Sequence, residues 1–210
     1  MKTTYQTTFP RMAGHLLRHP RQIGDYLRYS FTRHTPLDLE RPQIASTATR
    51  FLDLWLHAGM RVFEWGGGGS TLYFSKRVER VTTAGSDGGW VQQLKTQLAV
   101  RGRSNVDVRF HTYDRKDAAG FGDSAFCHAV AEGGPYDLIC INGPEVAGDP
   151  ARPACFERAE QHVRPGGIIL VDDAWHYDHL HAQHRAHSYQ VFRSVGPGRK
   201  GLARTDFYYY

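Results

Sequence analysis

Cysteine is scarce in this chain of 210 residues: only Cys127, Cys140 and Cys155 occur. The number is odd and the spacing matches no metal-binding pattern, which points away from a disulfide framework and from a thiolate zinc site. Free thiols in a reducing cytoplasm are the expectation, with Cys140 inside an apolar stretch. Long hydrophobic runs are missing too; none approaches the roughly 20 residues of a membrane-crossing helix. The threonine-rich start lacks the apolar core of a secretory signal, so a cytoplasmic location is expected. No internal repeat, no separate second domain and no nucleic-acid-binding motif is visible.

Hydrophobic residues make up 40% of the chain and charged residues 22%. That balance, at this length, suits one globular domain with a substantial core. The formal charge of +5 is unevenly placed. Residues 1–50 hold Lys2, Arg11, Arg18, Arg21, Arg28, Arg33, Arg41 and Arg50 against Asp25, Asp38 and Glu40, and the rest of the chain balances. Arg11–Arg18 and Ile23–Tyr29 read as two amphipathic helices broken near Pro20. Residues 1–35 are therefore expected to form a basic helical extension ahead of a domain over 36–210. Its basic face reads as a solvated helix surface, with peripheral contact to an anionic membrane as the alternative and no stable membrane insertion. Nucleic acid is not expected as a partner, for want of a motif.

The stretch Arg61-Val62-Phe63-Glu64-Trp65-Gly66-Gly67-Gly68-Gly69-Ser70 organises the domain. A short apolar run reads as a buried strand, and four glycines and then Ser70-Thr71 open an apolar-periodic helix. Strand, glycine turn and helix form the first unit of an α/β nucleotide-binding domain. A dinucleotide fingerprint needs glycine at the sixth position, which is Thr71, and a phosphate loop needs a lysine that is absent. A carboxylate just before the glycines suits a ligand with an ammonium group, which favours S-adenosylmethionine.

Glu64 through Thr71 resembles motif I of class I S-adenosylmethionine-dependent methyltransferases, most closely a bacterial group whose motif reads Glu-Trp-Gly-Ser-Gly-Gly-Ser-Thr. The resemblance spans about Pro36 to Tyr210, including Arg164-Pro165-Gly166-Gly167 ahead of an apolar strand. It implies a seven-stranded, mostly parallel Rossmann-like sheet with helices on both faces. It also implies methyl transfer from S-adenosylmethionine to a small-molecule acceptor, with a hydroxyl as the expected group. Glu64, Gly66, Gly67, Gly68 and Ser70 would hold the amino-acid end of the cofactor. Trp90 and Tyr113 would border its adenosine.

Two departures from the family pattern stand out. Gly85 occupies the place of the acid that binds the ribose, leaving Asp87, two residues on, as its expected replacement. Asn142 ends the fourth strand where the family has aspartate, and an amide is no base. It is carried as a cofactor contact. These departures keep open a rival reading, a degenerate S-adenosylmethionine-binding protein. A nicotinamide oxidoreductase is disfavoured, since both its sixth glycine and its ribose acid are lacking.

Asp172, Asp173 and His176 follow the fifth strand and are the expected catalytic residues, because ligands bind at the carboxyl ends of such sheets. Alternation along the strand predicts that only one of the two aspartates enters the crevice. A metal would have to use Asp172 or Asp173 with Asn142, a set that suits magnesium at best, and none is expected. His176, His179, His181, His184 and His187 crowd twelve residues. With Asp178 as the only carboxylate among them, they read as solvated surface histidines.

Overall fold

A computed structural model of the chain describes residues 9–30, 35–143, 151–197 and 201–210. Seven strands form one sheet: β1 (Arg61–Trp65), β2 (Arg80–Gly85), β3 (Val106–Phe110), β4 (Tyr136–Ile141), β5 (Val163–Asp172), β6 (Ser188–Val195) and β7 (Leu202–Tyr209). The order is β3-β2-β1-β4-β5-β7-β6. The first five strands run parallel, while β7 lies antiparallel to both β5 and β6. Strand order reverses between β2-β1 and β4, so the carboxyl ends of β1 and β4 flank the switch point where open α/β sheets place ligands.

The apolar strands carry residues on both faces because successive side chains alternate. Along β4, Leu138 and Cys140 enter one core with Val62, Val81, Ile168 and Leu170. Ile139 and Ile141 enter the opposite core with Phe63, Trp65, Ile169 and Val171. Each such fully buried side chain contributes about 1.5–3 kcal/mol relative to exposure.

Helices cover both faces. The extension forms α1 (Phe9–Arg18) and α2 (Ile23–Ser30), joined by a 3-10 turn at Pro20–Gln22, as the break at Pro20 predicts. Gln22 ties it to the sheet: its Oε1 accepts the Val195 amide at 3.3 Å, and Arg50 pairs with Asp25 at 2.8 Å. Then come α3 (Pro36–Leu39), α4 (Ser46–Trp55), α5 (Gly69–Ser75), α6 (Gly88–Val100), α7 (Ala125–His128) and α8 (Ala151–Ala159). No helix among the described residues is long and apolar enough to cross a membrane.

One local expectation is corrected. α8 ends at Ala159, and β5 has already begun at Val163. Arg164-Pro165-Gly166-Gly167 is thus not a turn before the strand but an irregular part of it. Gly166 adopts φ +81° and its amide donates to Tyr210 O at 2.6 Å, while the register shifts between Tyr136 and Leu138 on the neighbouring strand. Proline and glycine are tolerated there because a bulge leaves ladder positions unpaired. The histidine-rich segment forms two 3-10 turns, Ala174–His176 and Asp178–Ala182.

Candidate active site

The site begins where β1 ends. Gly66 turns the chain with φ +82°, and a Cβ there would lie 2.0 Å from the backbone oxygen of Asn142 at the end of β4. Only glycine fits both the left-handed backbone and that approach. Gly67 is confined as well: a Cβ would lie 2.2 Å from Thr83 Oγ1 and 2.7 Å from Thr71 Oγ1. At Gly68 the neighbour is the Trp90 indole, 3.2 Å from a Cβ. The loop is a bare backbone surface wedged between β1, β2, β4 and α6.

Glu64 lies beneath this loop with no exposed surface. Ser70 Oγ donates to its Oε2 at 2.6 Å and Thr71 Oγ1 donates to its Oε1. Thr71 Oγ1 in turn accepts the Gly68 amide at 2.8 Å. The carboxyl group therefore cross-links the strand end to the first turn of α5. Burial away from water pushes its pKa up to about 7, against the opposing effect of the Ser70 and Thr71 hydroxyls.

Trp90 holds the loop from the other side. Its indole Nε1 donates to Gly67 O at 2.6 Å. The ring is placed by the start of α6, where Asp87 acts as N-cap and its Oδ1 accepts the Trp90 amide at 2.9 Å.

Above the glycines opens a cleft of about 300 Å³, at the small end for a ligand site. Gly66, Gly67, Gly68, Gly69, Ser70, Trp90, Asn142 and Gly143 line it, together with Arg41, Gln43, Arg152 and Asp172. Asn142 Oδ1 is buried and has no hydrogen-bond partner among the described residues. Asp172, 6% exposed, closes β5, and Thr205 Oγ1 on β7 donates to its Oδ1 at 3.4 Å. Arg152 on α8 is 4% exposed, donates from a guanidinium nitrogen to the Asp172 backbone oxygen and faces the Tyr177 ring at 5.6 Å.

Of the expected residues, Gly66, Gly67, Gly68, Ser70, Trp90, Asn142 and Asp172 meet at the cleft. The others stand elsewhere. Glu64 is sealed beneath the loop. Asp87 caps α6, and Tyr113 packs its ring on Phe121 and Phe126 at 5.0 Å each. Asp173 follows β5 in a left-handed conformation, φ 52°, and is not among the residues lining the cleft, and His176 is exposed with its ring against Tyr177. At Gly85 a Cβ would lie 2.5 Å from Val91 Cγ2, so the first turn of α6 fills the space where an acidic side chain would begin.

Sequence reasoning missed Arg41 and Arg152. Arg41 had a weak signal, as a cation between a turn and a proline. Arg152 had none, since its role depends on α8 crossing the end of β5.

The histidines are only partly the solvated set expected. His176, His179 and His187 are exposed, but His181 contacts the fully buried Asp206 at 2.7 Å and stacks on Tyr189 at 4.1 Å. Arg204, 2% exposed, donates to both oxygens of Asp206 and pairs with Asp178 at 2.6 Å. The Arg204 guanidinium holds the Asp178 carboxyl below its ordinary range. This network on β7 lies apart from the residues lining the cleft. Among the described residues, no group of three or more His, Cys, Asp or Glu side chains is placed to hold a metal ion.

No protein-family model matches the chain, and no curated protein sequence does. Solved structures do. A 16S rRNA methyltransferase of T. thermophilus, in complex with AdoMet and guanosine, superposes with a TM-score of 0.61 at 17% identity, over 85% of this chain and 44% of that one. The present chain thus spans less than half of that protein. A precorrin 8W decarboxylase of Methanobacterium thermoautotrophicum gives 0.59 at 16% identity, over 81% of this chain and 92% of that one. An rRNA methylase of Streptococcus thermophilus gives 0.54 at 10% identity, over 85% and 98%. The expectation that set nucleic acid aside is corrected by this: two of these three structures are of enzymes that methylate rRNA, so a missing sequence motif does not exclude nucleic acid for such a sheet. At these identities the likeness establishes architecture, and the chain has the seven-stranded, mostly parallel α/β fold that these methyltransferases share.

Proposed function

We propose that the chain is a methyltransferase that binds S-adenosylmethionine on the glycine loop and methylates a hydroxyl acceptor beside Asp172. The observation that carries this reading is a single cleft at the carboxyl ends of β1, β4 and β5. It combines a glycine cradle, a buried unpartnered amide oxygen and a carboxylate.

The residues fit such a cofactor. A Cβ at Gly66 or Gly67 would fill the cradle, so the bare backbone is suited to close approach by a ligand. Asn142 Oδ1 offers an acceptor for an ammonium group, and Trp90 offers a ring face at the edge of the cleft. Glu64 acts from below by fixing Ser70 and Thr71. When bound, S-adenosylmethionine supplies an electrophilic methyl group.

The chain's own part is positioning and proton removal. Asp172 is the carboxylate that lines the cleft, and it takes the proton of the acceptor hydroxyl. Thr205 orients it through Oδ1, and Arg152 holds its backbone carbonyl. Asn142 orients and does not act as a base. A small hydroxyl-bearing molecule is the acceptor we expect; oligoribonucleotides belong in the same assay because two fold neighbours act on rRNA.

Calorimetric titration tests the cofactor. Binding of S-adenosylmethionine and S-adenosylhomocysteine, with none of NAD, is expected. Binding of NAD alone would overturn the reading. A second reading, a cofactor-binding protein without turnover, draws support from Val91 filling the space beside Gly85. Failure to methylate any acceptor in a hydroxyl and oligoribonucleotide panel, with intact cofactor binding, would favour it.

A further inference from the structure

We propose that Arg41 anchors the carboxylate of the cofactor's amino-acid end, an assignment that rests on the cofactor reading above. Arg41 lines the same cleft as the glycine loop, yet it is distant in sequence from every motif of the domain. Its side chain is half-buried and has no hydrogen-bond or ion-pair partner among the described residues. A guanidinium so placed is suited to a planar anion, which it grips through two parallel N–H donors.

Of the acids around the cleft, Asp172 accepts from Thr205 at the end of β5, and Glu40 and Glu64 do not neutralise Arg41. Glu40 is committed to Lys76 and to Arg101 Nε, the latter at 2.6 Å, and these two cations hold its carboxyl below the ordinary range. Glu64 is sealed under the loop. The other cation of the cleft, Arg152, is engaged with the Asp172 carbonyl at the acceptor side. An amino-acid zwitterion on the glycine loop brings one carboxylate, and among the described residues lining the cleft Arg41 is the cation left to receive it.

The segment that carries Arg41 is also held in place. Leu37 is buried against Leu72, Leu94 and Leu98. Glu40 ends α3 in the left-handed region, φ 47°, one of only two non-glycine residues with positive φ among the described residues. Such a conformation persists where its surroundings over-determine it, here through the Lys76 and Arg101 contacts. Pro42 follows and restricts Arg41 to extended backbone. Beyond it, the Ala45 amide donates to Thr205 Oγ1 at 3.0 Å. Little ordering of this segment remains to be done on binding, which favours affinity.

The test is calorimetry on the full chain with two probes. S-adenosylhomocysteine keeps the carboxylate; its decarboxylated analogue, S-adenosyl-3-thiopropylamine, keeps the amine and lacks only that group. Arg41→Gln is expected to weaken S-adenosylhomocysteine by about tenfold or more, the effect of one lost charge-assisted contact. It should leave the analogue unchanged, which also shows that the variant is folded. Arg41→Lys should fall between, keeping the charge and losing the fork. If Arg41→Gln weakens both probes equally, or neither, the assignment is wrong while the cofactor reading stands. If the parent chain binds neither probe, the cofactor reading fails and the assignment falls with it.

Discussion

Trp90 donates its indole N–H to the carbonyl oxygen of Gly67, 2.6 Å away, and so clamps the turn between β1 and α5 to the first turn of α6. The loop has no side chains of its own between Gly66 and Gly69, so its shape is imposed by what surrounds it. Glu64 does this from below and Trp90 from the side.

Trp90→Phe keeps an aromatic ring and removes the donor. Loss of this hydrogen bond should lower stability by about 1 kcal/mol. It should weaken S-adenosylhomocysteine severalfold, because the loop must then be ordered on binding. Thermal melts and titration of the same preparation check both. An unchanged affinity would mean the clamp does not shape the cleft.

The Glu64 carboxyl gives stability a pH dependence. Its pKa in the folded chain is about 7, against an ordinary value of 4.5, because burial disfavours the charge. Below pH 4.5 the group is neutral in both states and its contribution is fully present. Between 4.5 and about 7 the unfolded chain loses the proton first, so stability falls as pH rises, by about 3 kcal/mol in all. Above 7 this contribution changes no further. Glu64→Gln should flatten that part of the profile, measured by denaturant melts at pH 5, 6, 7 and 8. A parallel profile for parent and variant would show that Glu64 does not titrate in this range.

Gly85 and Val91 form a coupled pair. Gly85→Glu alone should destabilise the chain, since its Cβ would meet Val91 Cγ2 at 2.5 Å. Gly85→Glu combined with Val91→Ala makes room for the carboxylate and should tighten S-adenosylhomocysteine by roughly tenfold relative to Val91→Ala alone, through charged hydrogen bonds to the ribose. Calorimetry on the three variants decides. No gain in the double variant would place the ribose away from the end of β2.

Asp172 is separated from its two sequence companions by the same kind of experiment. Asp172→Asn should lower turnover on the order of a hundredfold with cofactor affinity retained, as loss of a general base does. Asp173→Asn should leave turnover unchanged, because asparagine also accepts the left-handed backbone that Asp173 adopts. His176→Ala should be silent as well. Steady-state rates with a responding acceptor provide the readout, and full activity in Asp172→Asn would move the base elsewhere.

What the sequence by itself determined is local and periodic. Glu64 to Thr71 marks a strand, a glycine turn and a helix start because those residue types restrict the backbone there, and the structure has β1, the turn and α5 in that place. The apolar runs at β4 and β5 identify central strands because only a sheet covered on both faces needs apolar side chains on both. The end of the fifth strand was legible too, and Asp172, its last residue, lines the cleft; Asp173 has already left the strand for the left-handed region, so alternation does not separate the two.

Tertiary structure alone decided which polar groups meet. Glu64 reads as a ligand residue in sequence, but the hydroxyls of Ser70 and Thr71 fold back over it and seal it. Asp87 is where a ribose acid could be sought, but a helix start consumes it as a cap. Arg41 and Arg152 come to one cleft from α3–α4 and α8, more than a hundred residues apart. Backbone conformation is encoded within a few residues by sterics and pattern. The company a charge keeps is set by how elements distant in the chain pack against one another, and no local pattern records it.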